Sequence, residues 1–404
     1  MWRLISNELY KIIKKKKFWI TFIVFTVILF LIGFMQYSNE KKYNSPEKQI
    51  EMTKTNIKTD KKSLQSGSMG AKERKNLKKT IASEQARLKK LKKSEADKNL
   101  EWTRRVTKDL RTNKEALIKA NAKGKNEDIE NATVAVSKDQ YYLDNNVNPY
   151  DETGDTVFYA FLDTKAFIEM IIVFMIIAVV TGDIVSSEYS PATIKMLLAK
   201  PVSRFKILLS KFIAIFASNV FLIIIPQIVL FIVFGIKDGF PNMSSPVGVG
   251  TIYQYDKAVM TQNNQMGLSP VVGSTQIVPY AKYFMYVTGM DLLFIVTCVS
   301  ICFLISVLIK NSGIAIGSSV GIGLVMSIVG IMSLQGALPD ALQKVSPYFP
   351  MTYASSDMLV YGDLAKRINN PSVTIGMGVG VLIIYTLICF AISSLVFTKR
   401  DMLA

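Results

Sequence analysis

The chain has no histidine, and its three cysteines, Cys298, Cys302 and Cys389, all lie in apolar runs. Histidine-dependent acid–base catalysis and histidine-ligated zinc are therefore excluded. The cysteines offer no disulfide framework; Cys298 and Cys302 stand i, i+4 on one helix face and read as small packing residues. Glu169 and Asp291 are the acids nearest the interior of long apolar runs. Inside a membrane a carboxylate is generally functional, binding a cation or a proton; near the end of a span it is an ordinary solvated group, and the sequence leaves both readings open. Asp183 closes another apolar run and reads as solvated or paired with a nearby lysine. No G-x-x-x-x-G-K-[ST] phosphate loop occurs, nor a Gly-rich turn between a strand and a helix, so nucleotide hydrolysis is not expected of this chain. No catalytic constellation assembles from the remaining residues, and no metal or other cofactor is expected on it.

Small residues form the other spaced pattern. Gly313, Gly317 and Gly321 give two overlapping G-x-x-x-G steps. Such steps serve close helix packing, within the chain or across a dimer, and can also line a translocation path. Gly376, Gly378 and Gly380 invite the same packing reading.

The elements that carry these residues follow from hydropathy. Half of the 404 residues are apolar, and they sit in long runs separated by lysine-rich stretches. A run of about 20 apolar residues spans a bilayer core. Six such runs are expected to span, at about 18–37, 166–184, 212–234, 284–309, 314–334 and 373–397. Residues 1–17 combine Trp2, Leu4, Ile5, Leu9, Ile12 and Ile13 with basic residues at roughly helical spacing, and predict an interfacial helix. The first domain, 1–37, joins that helix to the first span. Residues 38–165 hold 28 Lys and Arg and 20 Asp and Glu. Leu77, Ile81, Leu88, Leu91 and Leu110 make a thin apolar stripe among good helix formers, which predicts a helical hairpin with a coiled-coil-like seam. Residues 166–404 hold the other five spans. The Gly-, Pro-, Ser- and Asn-rich stretch 235–282 predicts a loop with little regular structure. The fold class expected is all-α, six transmembrane helices with a large helical insertion between the first two.

Charge sets the expected orientation. The net charge of +17 would fit a nucleic-acid binder, but its largest concentration is interleaved with acids and nearly free of aromatics through its middle, so no nucleic-acid partner is expected. Lys14 to Lys17 flank the first span, every short even-numbered turn carries Lys or Arg, and 235–282 and 335–372 hold three basic residues each. Both termini are thus expected in the cytoplasm and 38–165 outside, since long translocated segments escape the positive-inside rule.

The segment 185–211 lies on the cytoplasmic side of that scheme. Within it, Ser190-Pro191 starts a helix, Ile194, Leu197 and Leu198 give it an apolar face, Pro201 ends it, and Ser203 can cap the next helix. A short amphipathic helix between two spans lies on the membrane or docks in a partner's groove. The residues Glu188, Ala192, Thr193, Lys195, Leu197, Leu198, Pro201, Val202, Ser203, Arg204 and Lys211 resemble the second-span loop of type-2 ATP-binding cassette (ABC) exporter permeases, with Ala192 in place of the usual Gly. The six-span topology, a Pro-containing segment before the last span, and Lys399-Arg400-Asp401 at the end agree with the same family; residues 38–165 do not take part in the likeness. The resemblance implies a coupling helix, with Glu188, Thr193, Ile194, Lys195, Leu197, Leu198, Pro201 and Arg204 meeting an ATPase subunit that binds ATP and magnesium. It implies a dimer of ATPase subunits and a second permease chain, like or related. It also implies a bacterial cell membrane and the export of a hydrophobic or amphipathic substrate, such as a peptide antibiotic, a drug or a lipid, or of a cation. A membrane sensor or scaffold with an extracytoplasmic ligand-binding domain is the rival reading, and the coupling-like loop argues against it.

Overall fold

A computed structural model describes residues 1–43, 46–65, 71–96, 101–150, 154–189, 203–260 and 266–399. Six of its helices are long and apolar enough to cross a membrane: Lys16–Lys41, Thr156–Glu188, Arg204–Asp238, Tyr280–Leu308, Ser312–Leu334 and Ile375–Lys399. They pack with short connecting elements into one bundle, in which buried aromatics such as Phe158, Tyr283, Phe294 and Phe303 meet aliphatic side chains.

Helix α1 (Trp2–Lys14) turns Ile5, Glu8 and Ile12 inward and leaves Trp2, Tyr10 and Ile13 exposed. It ends where Lys15 adopts extended backbone, and α2 (Lys16–Tyr43) follows as the first span. The insertion is more than one hairpin. Helix α3 (Pro46–Gln65) packs on α4 (Ala71–Ala96), and α5 (Trp102–Lys123) packs on α6 (Asn126–Asp144). Gly124, at φ +68°, closes α5 in the left-handed conformation that allows the tight reversal into α6. The apolar content is thin: among the described residues Ile50, Ile57, Ile81, Val106, Leu110, Ala120 and Val147 are its buried aliphatics.

The second span begins at Thr156, not near 166. It comprises α7 (Asp155–Ile168), a π turn (Glu169–Val173) and α8 (Phe174–Thr181). Asp163, Thr164 and Lys165 lie within its first part, and their polarity is what shortens the span when hydropathy alone is read. Helix α9 (Arg204–Asp238) is the third span and absorbs Pro226. Helices α10 (Tyr280–Leu308) and α11 (Ser312–Leu334) are the fourth and fifth, and the Asn311 side chain caps α11 by accepting from the Ile314 amide at 3.1 Å. Short helices α12 (Asp340–Val345), α13 (Ser356–Tyr361) and α14 (Asp363–Ile368) precede the sixth span, α15 (Ile375–Lys399).

Residues 235–282 correct the expectation of an irregular loop. Strand β1 (Pro246–Val249) pairs antiparallel with β4 (Gln276–Pro279), and β2 (Tyr253–Met260) with β3 (Met266–Pro270), the second pair irregular between Asp256 and Met260. Val247, Val249 and Val278 turn inward. These strands link the insertion to the bundle. Glu130 of α6 accepts the backbone amides of Gly273 and, at 3.0 Å, Thr275, while Lys366 of α14 reaches Glu127 at 2.7 Å. The insertion thus sits at the end of the bundle opposite the chain termini.

Candidate functional site

Two clusters of charge are built into the bundle. In the first, Lys165 Nζ stands 2.8 Å from Glu169 Oε2 and 2.8 Å from Asp291 Oδ1. All three side chains are at most 5% exposed. Lys165 and Glu169 share one face of the second span at i, i+4, where opposite charges meet. Asp291 comes from α10, which the Phe158–Tyr280 ring stack, at 4.1 Å, holds against α7. Glu169 is roughly 20 Å along its span from Thr156, and Asp291 about 16 Å along its own from Tyr280, at 1.5 Å per residue. Both acids are buried within the bundle with a lysine between them. Asp357, on α13 outside the spans, faces the same cluster; burial drives its carboxyl above the usual carboxylate range against the pull of Lys165.

The second cluster lies at the end of the bundle that holds the termini. Lys211 of α9 is fully buried and its ammonium is shared by Glu8 of α1, at 2.7 Å, and Glu188 at the end of the second span. Lys11 reaches Glu8 at 2.7 Å and Glu188 at 3.8 Å. Burial works against an ionised Glu8, but the charges of Lys211 and Lys11 outweigh it and hold the carboxyl below its ordinary range. Asp183 is paired with Lys17 at 2.5 Å and Lys15 at 3.4 Å. The Ser306 hydroxyl of α10 accepts from the amides of Val185, at 3.0 Å, and Ser186, at 3.2 Å. Across the gap, Arg204 donates to the Thr398 carbonyl at 3.2 Å. Both shores of segment 190–202 are therefore tied to spanning helices. Thr193, Ile194, Lys195, Leu197, Leu198 and Pro201 lie outside the described residues.

The description "ABC-2 family transporter protein" matches residues 2–402, nearly the whole chain. This chain belongs to that family. It is also 26% identical over 269 residues to "Uncharacterized protein YhcI" of Bacillus subtilis strain 168, across 66% of this chain and 75% of that one. Membership in the ABC-2 family makes the chain the multi-pass membrane permease subunit of an ABC transporter.

Within this permease the glycines divide. A Cβ on Gly317 or Gly321 would meet no atom within 4 Å, and one on Gly313 only Asn311 Oδ1 at 3.4 Å. The within-chain contacts are made by Gly323, whose Cβ would lie 2.2 Å from the Phe174 ring, and Gly330, against Met351 at 3.2 Å. Among the described residues, Gly317 and Gly321 have no neighbour to pack against and Gly313 meets only Asn311.

Sequence reasoning passed over Lys165, Glu8 and the pairing of Lys211. The signals were present. A lysine four residues before a glutamate in an apolar run is an ion-pair spacing, and Glu8 interrupts the apolar face of an otherwise amphipathic helix.

Proposed function

We propose that this permease works in an exporter whose ATP is hydrolysed on a separate subunit, with magnesium bound there, and that segment 190–202 docks on that subunit. The observation that carries the reading is the anchoring of both ends of the segment, at Glu188–Lys211 and at Arg204–Thr398. A force applied to a segment tethered at both ends passes into the second, third and sixth spans. In this reading Ile194, Leu197 and Leu198 are the apolar knob, and Glu188, Thr193, Lys195, Pro201 and Arg204 form its frame. Apolar anchors at the centre of an interface carry most of its energy and rim charges little.

The remaining assignments follow from the same reading. The termini face the cytoplasm of a bacterial cell and the 38–154 insertion faces outward, in keeping with the lysines at the terminal end. A second permease chain, of the same or a related sequence, covers Gly313, Gly317 and Gly321. The cargo is hydrophobic or amphipathic, a peptide antibiotic, drug or lipid, or else a cation.

The test is co-purification of a tagged ATPase subunit with variants of the full chain, beside transport in proteoliposomes. Leu197→Asp is expected to lose both, because an unpaired carboxylate in a closed groove costs about 3–5 kcal/mol. Lys195→Ala is expected to retain most of both. Full association and transport by Leu197→Asp in a monodisperse protein would overturn the coupling assignment.

A further inference from the structure

The charge cluster at Lys165 does not stand alone. Beside it, between the second, third and fourth spans, lies a cavity of about 390 Å³. Its wall toward the insertion end is aromatic. Phe161, Phe231 and Phe284 meet one another there, with ring centroids 5.2–6.4 Å apart. Its other end is polar, formed by Lys165, Asp291 and Gln227. From Ala281 to Asp291 the lining runs roughly 15 Å along α10, at 1.5 Å per residue. The rim at Ile228, Ala281 and Thr288 is exposed, so the cavity opens sideways out of the bundle.

Two features of the polar end ask for a ligand. One lysine serves two buried carboxyl groups, with Asp357 facing the same cluster, so acids outnumber cations there. In surroundings this apolar, a carboxylate without a cation of its own is costly, and it is relieved by taking a proton or by a second cation, which the lateral mouth of the cavity can admit. Independently, the Gln227 side chain is only 4% exposed and its amide nitrogen has no hydrogen-bond partner among the described residues. Buried polar groups are almost always paired, and a hydrocarbon tail lying in the cavity would leave this one unpaired.

We infer that this cavity binds an amphipathic cation, its ammonium beside Asp291 and its apolar or aromatic body against Phe161, Phe231 and Phe284. Charge selects the occupant. An anionic amphipath would face Asp291, with Lys165 already engaged by two carboxylates. A neutral lipid tail would offer nothing to Asp291 or to Gln227. An amine satisfies the charge directly, and an oxygen near its nitrogen would accept from the Gln227 amide. The aromatic walls suit a cation in transit as well, since ring faces attract positive charge. Calling this ligand the exporter's cargo rests on the function proposed above; its binding does not.

The experiment compares three probes with the same body and different heads: phenylhexylamine, phenylhexanol and phenylhexanoate. Each is dialysed to equilibrium against the purified full chain in lipid nanodiscs, with empty nanodiscs subtracted and no ATPase present. The amine is expected to bind saturably, the alcohol about tenfold or more weakly by comparison, and the carboxylate without saturation. Asp291→Asn is expected to weaken the amine by about tenfold or more, the factor carried by one charged hydrogen bond. Ile228→Trp narrows the mouth without touching a charge and is expected to weaken it too, which guards against a misfolded Asp291→Asn. Equal binding of amine and alcohol, tightest binding of the carboxylate, no saturable amine binding, or amine binding indifferent to both variants would each overturn the inference. Because no ATPase is present, any of these results leaves the coupling assignment intact, and a failed co-purification leaves the binding site intact.

Discussion

Lys211→Met removes the ammonium on which the terminal end of the bundle converges while keeping most of the side chain's volume. The lysine is fully buried; the carboxylates it leaves behind are 9% exposed at Glu8 and 16% exposed at Glu188. Removing one partner of a buried ion pair costs about 3–5 kcal/mol because a charge is stranded. Two circumstances reduce that figure. Lys11 stays within reach of both acids but is half exposed, so its compensation is screened, and Glu188 retains some access to solvent. About 2–3 kcal/mol is therefore expected, which at about 2 °C per kcal/mol for a chain larger than 150–250 residues corresponds to a fall of roughly 4–6 °C in the unfolding midpoint. Thermal unfolding of the purified chain in one detergent, read by intrinsic fluorescence, measures it. The decisive comparison is the double variant Lys211→Met with Glu8→Gln. It neutralises one stranded acid and should be more stable than Lys211→Met alone. A single variant that melts with the wild type, or a double variant that melts lower than the single one, would refute the view that opposite charge holds α1 to the second and third spans.

The same pairing sets a pH dependence. Glu8 is held below the ordinary carboxylate range, so its contribution is complete above the unfolded value of about 4.3 and is lost as pH falls through the lower folded value; Glu8→Gln should flatten the acid limb of a stability–pH curve. Gly323→Val would set a methyl-bearing carbon against the Phe174 ring and should cost about 1–3 kcal/mol in a melt, whereas Gly317→Val meets open space and should leave the single chain's stability unchanged. Glu130→Ala strips the acceptor from the amides of Gly273 and Thr275, a loss of about 1–3 kcal/mol that hydrogen exchange should register as faster exchange in residues 271–276.

The spans were legible because a bilayer demands about 20 apolar residues in succession, and each of the six predicted cores overlaps an observed helix, with 284–309 and 373–397 overrunning theirs by a residue or two. The second span fared worst, and for an instructive reason. Its charged residue Lys165 marks the edge of an apolar window, yet in the folded chain that lysine is the centre of a buried cluster. Hydropathy treats a charge as a boundary; only the arrival of Asp291 from another helix makes it an interior residue. Residues 246–279 hid their strands for a related reason. Each pair is short, and β1 finds β4 only across the intervening β2–β3 hairpin, a long-range match that local alternation does not announce. The glycine pattern was legible as a pattern but not by partner, since sequence spacing cannot say which face of α11 meets Phe174.

The π turn at Glu169–Val173 carries a consequence for the whole second span. A wide turn stores one residue more than regular helix would hold. Regular geometry advances about 100° with each residue, so drawing the spare residue into α-helix would swing one half of the span against the other by about a quarter of a revolution. Lys165 lies on one side of that turn and Phe174 begins the other. One has to meet Asp291, the other has to fit over Gly323. The turn acts as a phase adjuster between them, and a rotation that tightened it would break one engagement or the other. The π turn thereby ties the register of the Lys165–Asp291 pair to that of the Phe174–Gly323 contact.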